Sequence, residues 1–257
     1  MTASSRSSLI WLLLATTVGG TGLVMWGRAL PSNTSTPKRS AGAFPTQELQ
    51  KLDQVVQARF AIVPKDGTFG YSRITIPTQV HAHFYPSTPK ERSIVTALKN
   101  SGTDVVFFLG GSKQFQGRIF GKERVRGPVL LTSAGFTNGQ QLTSRQMQDK
   151  IDKENETLLK NAPKAAALEE LTDEVLANPQ KARETGIEVN GWRVVARPIE
   201  ASVSRCVTCH NSLAKPQAKS SLFKEAPETI SLHDPLGVAL YCFRKEAGKV
   251  SKGQPHG

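Results

Sequence analysis

The chain has 257 residues, a length that allows one domain with an insertion or two small lobes with separate cores. Its hydrophobic content of 38% excludes general disorder. Its formal net charge of +12 is typical of a solvated basic surface or of one that meets an anionic partner, and because the basic residues are dispersed without a nucleic-acid-binding motif, we expect no nucleic acid.

The first segment of the chain is an uncharged apolar run at residues 7–27, bracketed by Arg6 and Arg28. A run of this length can cross a bilayer as one helix. A cleaved signal peptide has small residues at its cleavage site, whereas Arg28 stands in that place here, so an uncleaved anchor is favoured. We therefore expect residues 1–28 to form a transmembrane anchor or signal segment, and residues 29–45, rich in Pro, Ser and Thr, to form a linker.

Helices and strands alternate through the next part of the chain. Apolar residues at helical spacing predict an amphipathic helix over 48–60, directly after Thr46 and Gln47. A capping box at 88–91 predicts the start of a second helix. Strands are predicted from alternating or continuous apolar runs at 71–77, 79–85, 104–111, 115–121 and 128–132.

The second half of the chain is helical and then extended. Residues 144–178 are rich in helix formers, with a break predicted at Pro163. Asn190 and Gly191 separate two extended runs, which is the strongest short-range signal for a hairpin. A strand is predicted over 237–245.

These elements predict an α+β domain over residues 46–245, either continuous or divided into two lobes at 46–140 and 141–245. The remaining residues, 246–257, are expected to form a flexible tail. The α/β segment in the middle of the chain, at 64–140, carries no recognisable functional pattern of its own.

Cysteine is scarce in this chain, yet two of its three cysteines lie in the sequence CVTCH at residues 206–210, called here the CVTCH motif. In a helix over 203–213, Cys206 and Cys209 share a face at i, i+3, and His210 joins that face at i+4. Attachment of a c-type haem needs two thiols that each add to a vinyl group and an imidazole that reaches the iron. The motif therefore predicts one covalently bound haem c.

Three other kinds of site compete for the same motif. A thioredoxin-like redox pair would lie at a strand-to-helix junction of a βαβ fold and does not need the adjacent histidine. A zinc site would need a fourth ligand and usually a second spaced pair, whereas the remaining cysteine is Cys242 alone. A disulfide between Cys206 and Cys209 is the third alternative. Haem attachment is favoured because cysteine is so scarce that the spacing is specific.

Haem attachment also indicates a compartment. Haem c is attached to its protein outside the cytoplasm, and the apolar run at 7–27 supplies a membrane anchor. We therefore expect a single-pass protein of the inner membrane, with its haem domain on the periplasmic side.

The run GWRVVARPIEASVSRCVTCHNS, followed by HDPLGVALYCFRK, resembles a family of single-haem c-type proteins first catalogued as a domain of unknown function. The resemblance covers about residues 187–244. It implies a PAS-like fold, with an antiparallel sheet flanked by helices behind an N-terminal transmembrane helix, and a role in redox or ligand sensing. By this resemblance, Cys206 and Cys209 carry the thioethers and His210 is the proximal axial ligand.

The second axial position of the iron has three candidate ligands: Cys242, His81 and His83. Cys242 shares a predicted strand face with apolar residues, and the alternative for it is a small buried apolar residue. His81 and His83 lie two apart on a predicted strand, and the alternative for them is a half-exposed strand face. His233 is expected in a solvent-facing turn.

The expected function is that of a membrane-anchored monohaem cytochrome c that transfers electrons or senses redox state or a small ligand. Its basic surface would suit an acidic redox partner protein. The alternatives are a haem-dependent peroxidase-like enzyme, although no nucleophile with a base stands out, and a tethered structural domain in which the CVTCH motif is fortuitous.

Overall fold

One mostly antiparallel sheet, flanked by helices, organises the chain in a computed structural model. The structure describes residues 37–62, 74–77, 82–111, 124–132, 153, 155–182, 185–213 and 229–245. Within those ranges, no helix combines the length and the hydropathy needed to cross a bilayer. The run at 7–27, the strand predicted at 115–121, His81 and the tail at 246–257 lie outside the described residues.

The prediction of an α+β fold with an antiparallel sheet flanked by helices is confirmed. The described strands are β1 Lys38–Ala41, β2 Thr75–Pro77, β3 Ala82–Phe84, β4 Thr103–Gly111, β5 Val125–Leu131, β6 Thr185–Val189, β7 Trp192–Glu200 and β8 Pro235–Lys245. The described helices are α1 Gln47–Ala61, α2 Pro89–Asn100, α3 Glu156–Asn161, a 3-10 turn at Ala165–Leu168, α4 Glu169–Ala177, α5 Pro179–Ala182 and α6 Ser204–Leu213.

The last described strand, β8, lies in the interior of this sheet. The strand order across the described residues is β1-β6-β7-β8-β4-β5-β3-β2. One side of β8 pairs with β4 from Thr103↔Lys245 to Gly111↔Gly237, and the other side pairs with β7 from Arg193↔Phe243 to Glu200↔Pro235. All pairings are antiparallel except the parallel one between β3 and β5.

Both faces of the sheet are buried under helices. The sequence of β8 is therefore a continuous apolar run rather than an alternation of apolar and polar residues. Residues of α1 and α2 pack on one face, together with Ala239, Tyr241 and Phe243 of β8. The 3-10 turn and α4 pack on the other face, over Leu240 and Cys242 among others.

Tyr241 links β8 to α1. Its hydroxyl is buried and donates a hydrogen bond to Oδ1 of Asp53 at 2.9 Å. Burial, and then the neighbouring Asp53 carboxylate, raise the pKa of Tyr241 well above its ordinary value, because both disfavour the phenolate.

Local sequence signals begin and end the elements as predicted. The Thr46 hydroxyl caps α1 by accepting from the backbone N–H of Leu49, and both hydrogen bonds of the Thr88–Glu91 capping box are present at the start of α2. Asn190 and Gly191 have φ angles of 51° and 77°, which are the positive values that a type I′ hairpin turn requires.

Part of the predicted linker is structured. Lys38–Ala41 forms β1 and pairs with β6, so the prediction of a linker over 29–45 is wrong for these residues. Arginines on β7 hold this segment through its backbone: Arg193 donates to the carbonyl of Ala41 at 2.6 Å, and Arg197 donates to that of Gly42 at 2.7 Å. Polar composition hid the strand, because an edge strand is stabilised by its backbone and buries little side-chain surface.

The close approach of β8 and β4 gives a stability test with a matched control. Gly237 and Gly111 are partners in the register, yet a Cβ on Gly237 would lie 2.8 Å from the carbonyl oxygen of Gly110, whereas one on Gly111 would find its nearest atom at 3.8 Å. We expect Gly237→Ala to lower the free energy of unfolding by about 1–3 kcal/mol, because strand backbones must separate. Gly111→Ala should leave it unchanged or raise it. Urea unfolding measures both, and equal values for the two variants would contradict this packing.

Candidate functional site

The CVTCH motif lies on α6, which begins four residues after β7 ends. The predicted helix over 203–213 is confirmed over Ser204–Leu213, and the backbone N–H of Cys206 donates to the carbonyl of Val203 at 2.9 Å. The helical spacing therefore sets Cys206, Cys209 and His210 along one side of a single helical turn.

The two cysteines of the motif differ in exposure but not in chemical state. Cys206 is buried, Cys209 is exposed, and neither forms a disulfide. His210 is half-buried beside them. Two free thiols and an adjacent imidazole are the donor set that haem attachment requires, so the described residues fit this group. The alternative of a Cys206–Cys209 disulfide is absent from the structure.

The two strands that flank α6 have a different relative direction from those of a thioredoxin-like site. There, the redox pair follows a strand that continues through a helix into a parallel strand. Here α6 lies in the connection between β7 and β8, residues 201–234, and those two strands are antiparallel. We refer to this segment as the β7–β8 connection.

Hydrogen bonds fasten α6 within the β7–β8 connection on both sides. Before the helix, the N–H of Ala201 donates to the carbonyl of Asp234 at 2.9 Å, and the N–H of His233 donates to that of Ala201 at 3.1 Å. Near the helix end, the side-chain amide of Asn211 bonds both backbone groups of Ile230. The orientation of the CVTCH motif is thereby coupled to β7 and β8.

Cys242, one candidate for the second axial ligand, lies in the interior between β4 and β7. Its register partners are Val106 and Val194, and its side chain is fully buried in the apolar cluster under α4. Burial raises the pKa of the Cys242 thiol, because an apolar surrounding disfavours the thiolate. Along β8 it lies roughly 20 Å from Pro235, where the β7–β8 connection ends. This placement agrees with the interpretation of Cys242 as a small buried apolar residue.

His83, the second described candidate, is also an interior residue. It is fully buried, and its Nδ1 lies 2.9 Å from the hydroxyl of Thr132. The interpretation of a half-exposed strand face is wrong for His83, because all three residues of β3 are buried, whichever face of the sheet they occupy. Across the sheet, β3 is three strands from β8, about 14 Å.

His233 lies in a turn, as expected, with a φ of 73° and a side chain that is 70% exposed. Its Nδ1 is 3.7 Å from a carboxylate oxygen of Glu200, at the end of β7. Among the described side chains, no group of three or more His, Cys, Asp or Glu residues is arranged to hold a metal ion.

Comparisons of the chain with protein-family models, with curated proteins and with solved structures found no match. The chemistry of the site therefore rests on its own residues. Asn211 is the residue of this site that sequence patterns did not indicate, because its partner Ile230 follows 19 residues later and no periodicity relates them.

The three thiols should differ in reactivity in the full chain produced without haem attachment. We expect a maleimide to modify Cys209 first, Cys206 more slowly and Cys242 only after unfolding, because alkylation needs an accessible thiolate. Mass spectrometry of timed samples measures the order. The Cys209→Ser variant is the control, in which Cys242 should stay protected. Modification of Cys242 in the folded chain at the rate of Cys209 would contradict its burial.

Proposed function

We propose that this chain is a membrane-anchored, extracytoplasmic monohaem c-type cytochrome that transfers electrons or senses redox state or a small ligand. The observation that carries the proposal is the helical turn of α6, which presents two free thiols and an imidazole at i, i+3 and i+4. Few other chemistries use all three groups at this spacing.

Each residue of the motif has a separate task in this function. The sulfur atoms of Cys206 and Cys209 would hold the haem through thioether bonds, and the His210 imidazole would bind its iron. When bound, the haem supplies a one-electron redox couple. The chain contributes orientation, because α6 fixes the imidazole relative to both sulfurs and the β7–β8 connection fixes α6 relative to the sheet.

The sheet supports a PAS-like arrangement. The five consecutive strands β4 to β8, counted in chain order, stand in the sheet as 2-1-5-4-3, and their pairings are all antiparallel, as the resemblance implies. The helices α3 to α5 fall between the second and third of these strands. This is support at the level of the fold, whereas the redox function depends on the CVTCH motif.

The compartment and the partner belong to the same proposal. Haem attachment outside the cytoplasm and the uncharged run at 7–27 favour an anchor in the inner membrane with the domain on the periplasmic side. The net charge of +12 favours an acidic redox partner protein, since opposite charges accelerate the encounter of two proteins.

Covalent attachment tests the proposal directly. We expect the full chain, produced in the periplasm together with a haem-attachment system, to carry a haem that survives denaturing electrophoresis and stains by its peroxidase activity. Cys206→Ala with Cys209→Ala should abolish the staining, because both sulfurs are removed. Cys242→Ala is the matched control and should retain it. Absence of covalent haem in the unaltered chain would overturn the proposal.

The charge argument has a test that needs no identified partner. The haem-loaded chain, with its net positive charge, is first reduced and then oxidised by the hexacyanoferrate(III) anion. The rate of this oxidation should fall several-fold between low and physiological ionic strength, because salt screens the attraction between the chain and the anion. Oxidation by a cationic cobalt(III) complex should accelerate over the same range. Stopped-flow absorbance measures both rates, and salt-independent rates would remove the basis for an acidic partner.

A further inference from the structure

The end of α6 is joined to the segment before β8 by one side chain. The Asn211 Nδ2 donates to the carbonyl oxygen of Ile230 at 2.9 Å, and the Ile230 N–H donates to the Asn211 Oδ1 at 2.8 Å. The amide group therefore pairs with both backbone groups of one residue, in the way that a neighbouring strand would. Asn211 is half-buried and follows His210 directly.

The side chains of Thr208 and Ser212 make their hydrogen bonds inside α6. Thr208 donates to the carbonyl of Ser204 at 3.1 Å, and Ser212 donates to that of Cys209 at 2.6 Å. Such bonds are local to the helix and do not orient it against the rest of the fold. The pair between Asn211 and Ile230 does orient it, because Ile230 belongs to the segment that continues into β8.

We infer that Asn211 is a positioning residue for the iron ligand His210, an inference that rests on the proposed function. Orienting contacts beyond the ligand itself fix the direction of an imidazole and the access of water, and thereby tune the metal. In this chain the contact acts through the backbone: the Asn211 pair fixes the last turn of α6, and that turn carries Cys209 and His210. Without the pair, the turn can tilt away from the 229–234 segment.

Asparagine is the residue that this geometry selects. Leucine has the same branching but neither hydrogen-bonding group, and aspartate keeps the acceptor for the Ile230 N–H while losing the donor to its carbonyl. From the opposite side, Ile230→Pro removes the N–H donor and leaves α6 unaltered. Two independent substitutions can therefore break the same pair.

The test measures the midpoint potential of the haem-loaded full chain. We expect Asn211→Leu to change the ratio of reduced to oxidised protein at a fixed ambient potential about tenfold, equivalent to 59 mV for one electron. Ile230→Pro should shift the potential in the same direction, and the double variant should shift it by less than the sum. The matched control is Ser212→Ala, at the residue after Asn211. It removes only the intrahelical hydrogen bond from the Ser212 hydroxyl to the Cys209 carbonyl and should leave the potential unchanged.

A second readout does not depend on haem. In the chain produced without haem attachment, Asn211→Leu should accelerate hydrogen–deuterium exchange in peptides covering 204–213 and 229–234, whereas Ser212→Ala should not affect 229–234. Equal potentials for Asn211→Leu and Ser212→Ala, or additive shifts in the double variant, would overturn the inference. Failure of the unaltered chain to bind haem would instead overturn the proposed function, and the exchange data would still report on the pair.

Discussion

The pairing of β8 on both of its edges is the constraint on which the other parts of this fold depend. Because β4 lies on one side and β7 on the other, β8 joins strands from the two halves of the chain into one sheet. Its alternate side chains then bury into both helix layers, with Tyr241 towards α1 and Leu240 towards α4. Neither layer could close its apolar core without this strand between the two halves.

The same pairing explains how a short helix can hold the CVTCH motif in a fixed place. A helix of ten residues has little intrinsic stability in isolation. In this fold, α6 is inserted between two strands that are themselves fixed in the sheet, and backbone pairs at Ala201 and the Asn211 amide transmit that rigidity to it. Sites on rigid elements keep their geometry better than sites on loops, and α6 gains this property from its neighbours.

Features encoded within a few residues could be predicted from the sequence, and those that depend on distant partners could not. The capping box at Thr88, the hairpin turn at Asn190 and the helix bearing Cys206 each depend on local chemistry and were predicted correctly. The pairing of β4 with β8 joins residues more than a hundred positions apart, and no local pattern specifies it. The strand Lys38–Ala41 was missed for the same reason, since its partner is β6.

The two outermost described strands limit how other chains can associate with this sheet. An exposed strand edge can pair with a further strand, and short, charged or proline-containing edges oppose such pairing. At one side stands β1, four residues long with Lys38 and Arg39, and at the other stands β2, three residues long and ending in Pro77. The described sheet therefore resists self-association through the backbone of its two edge strands.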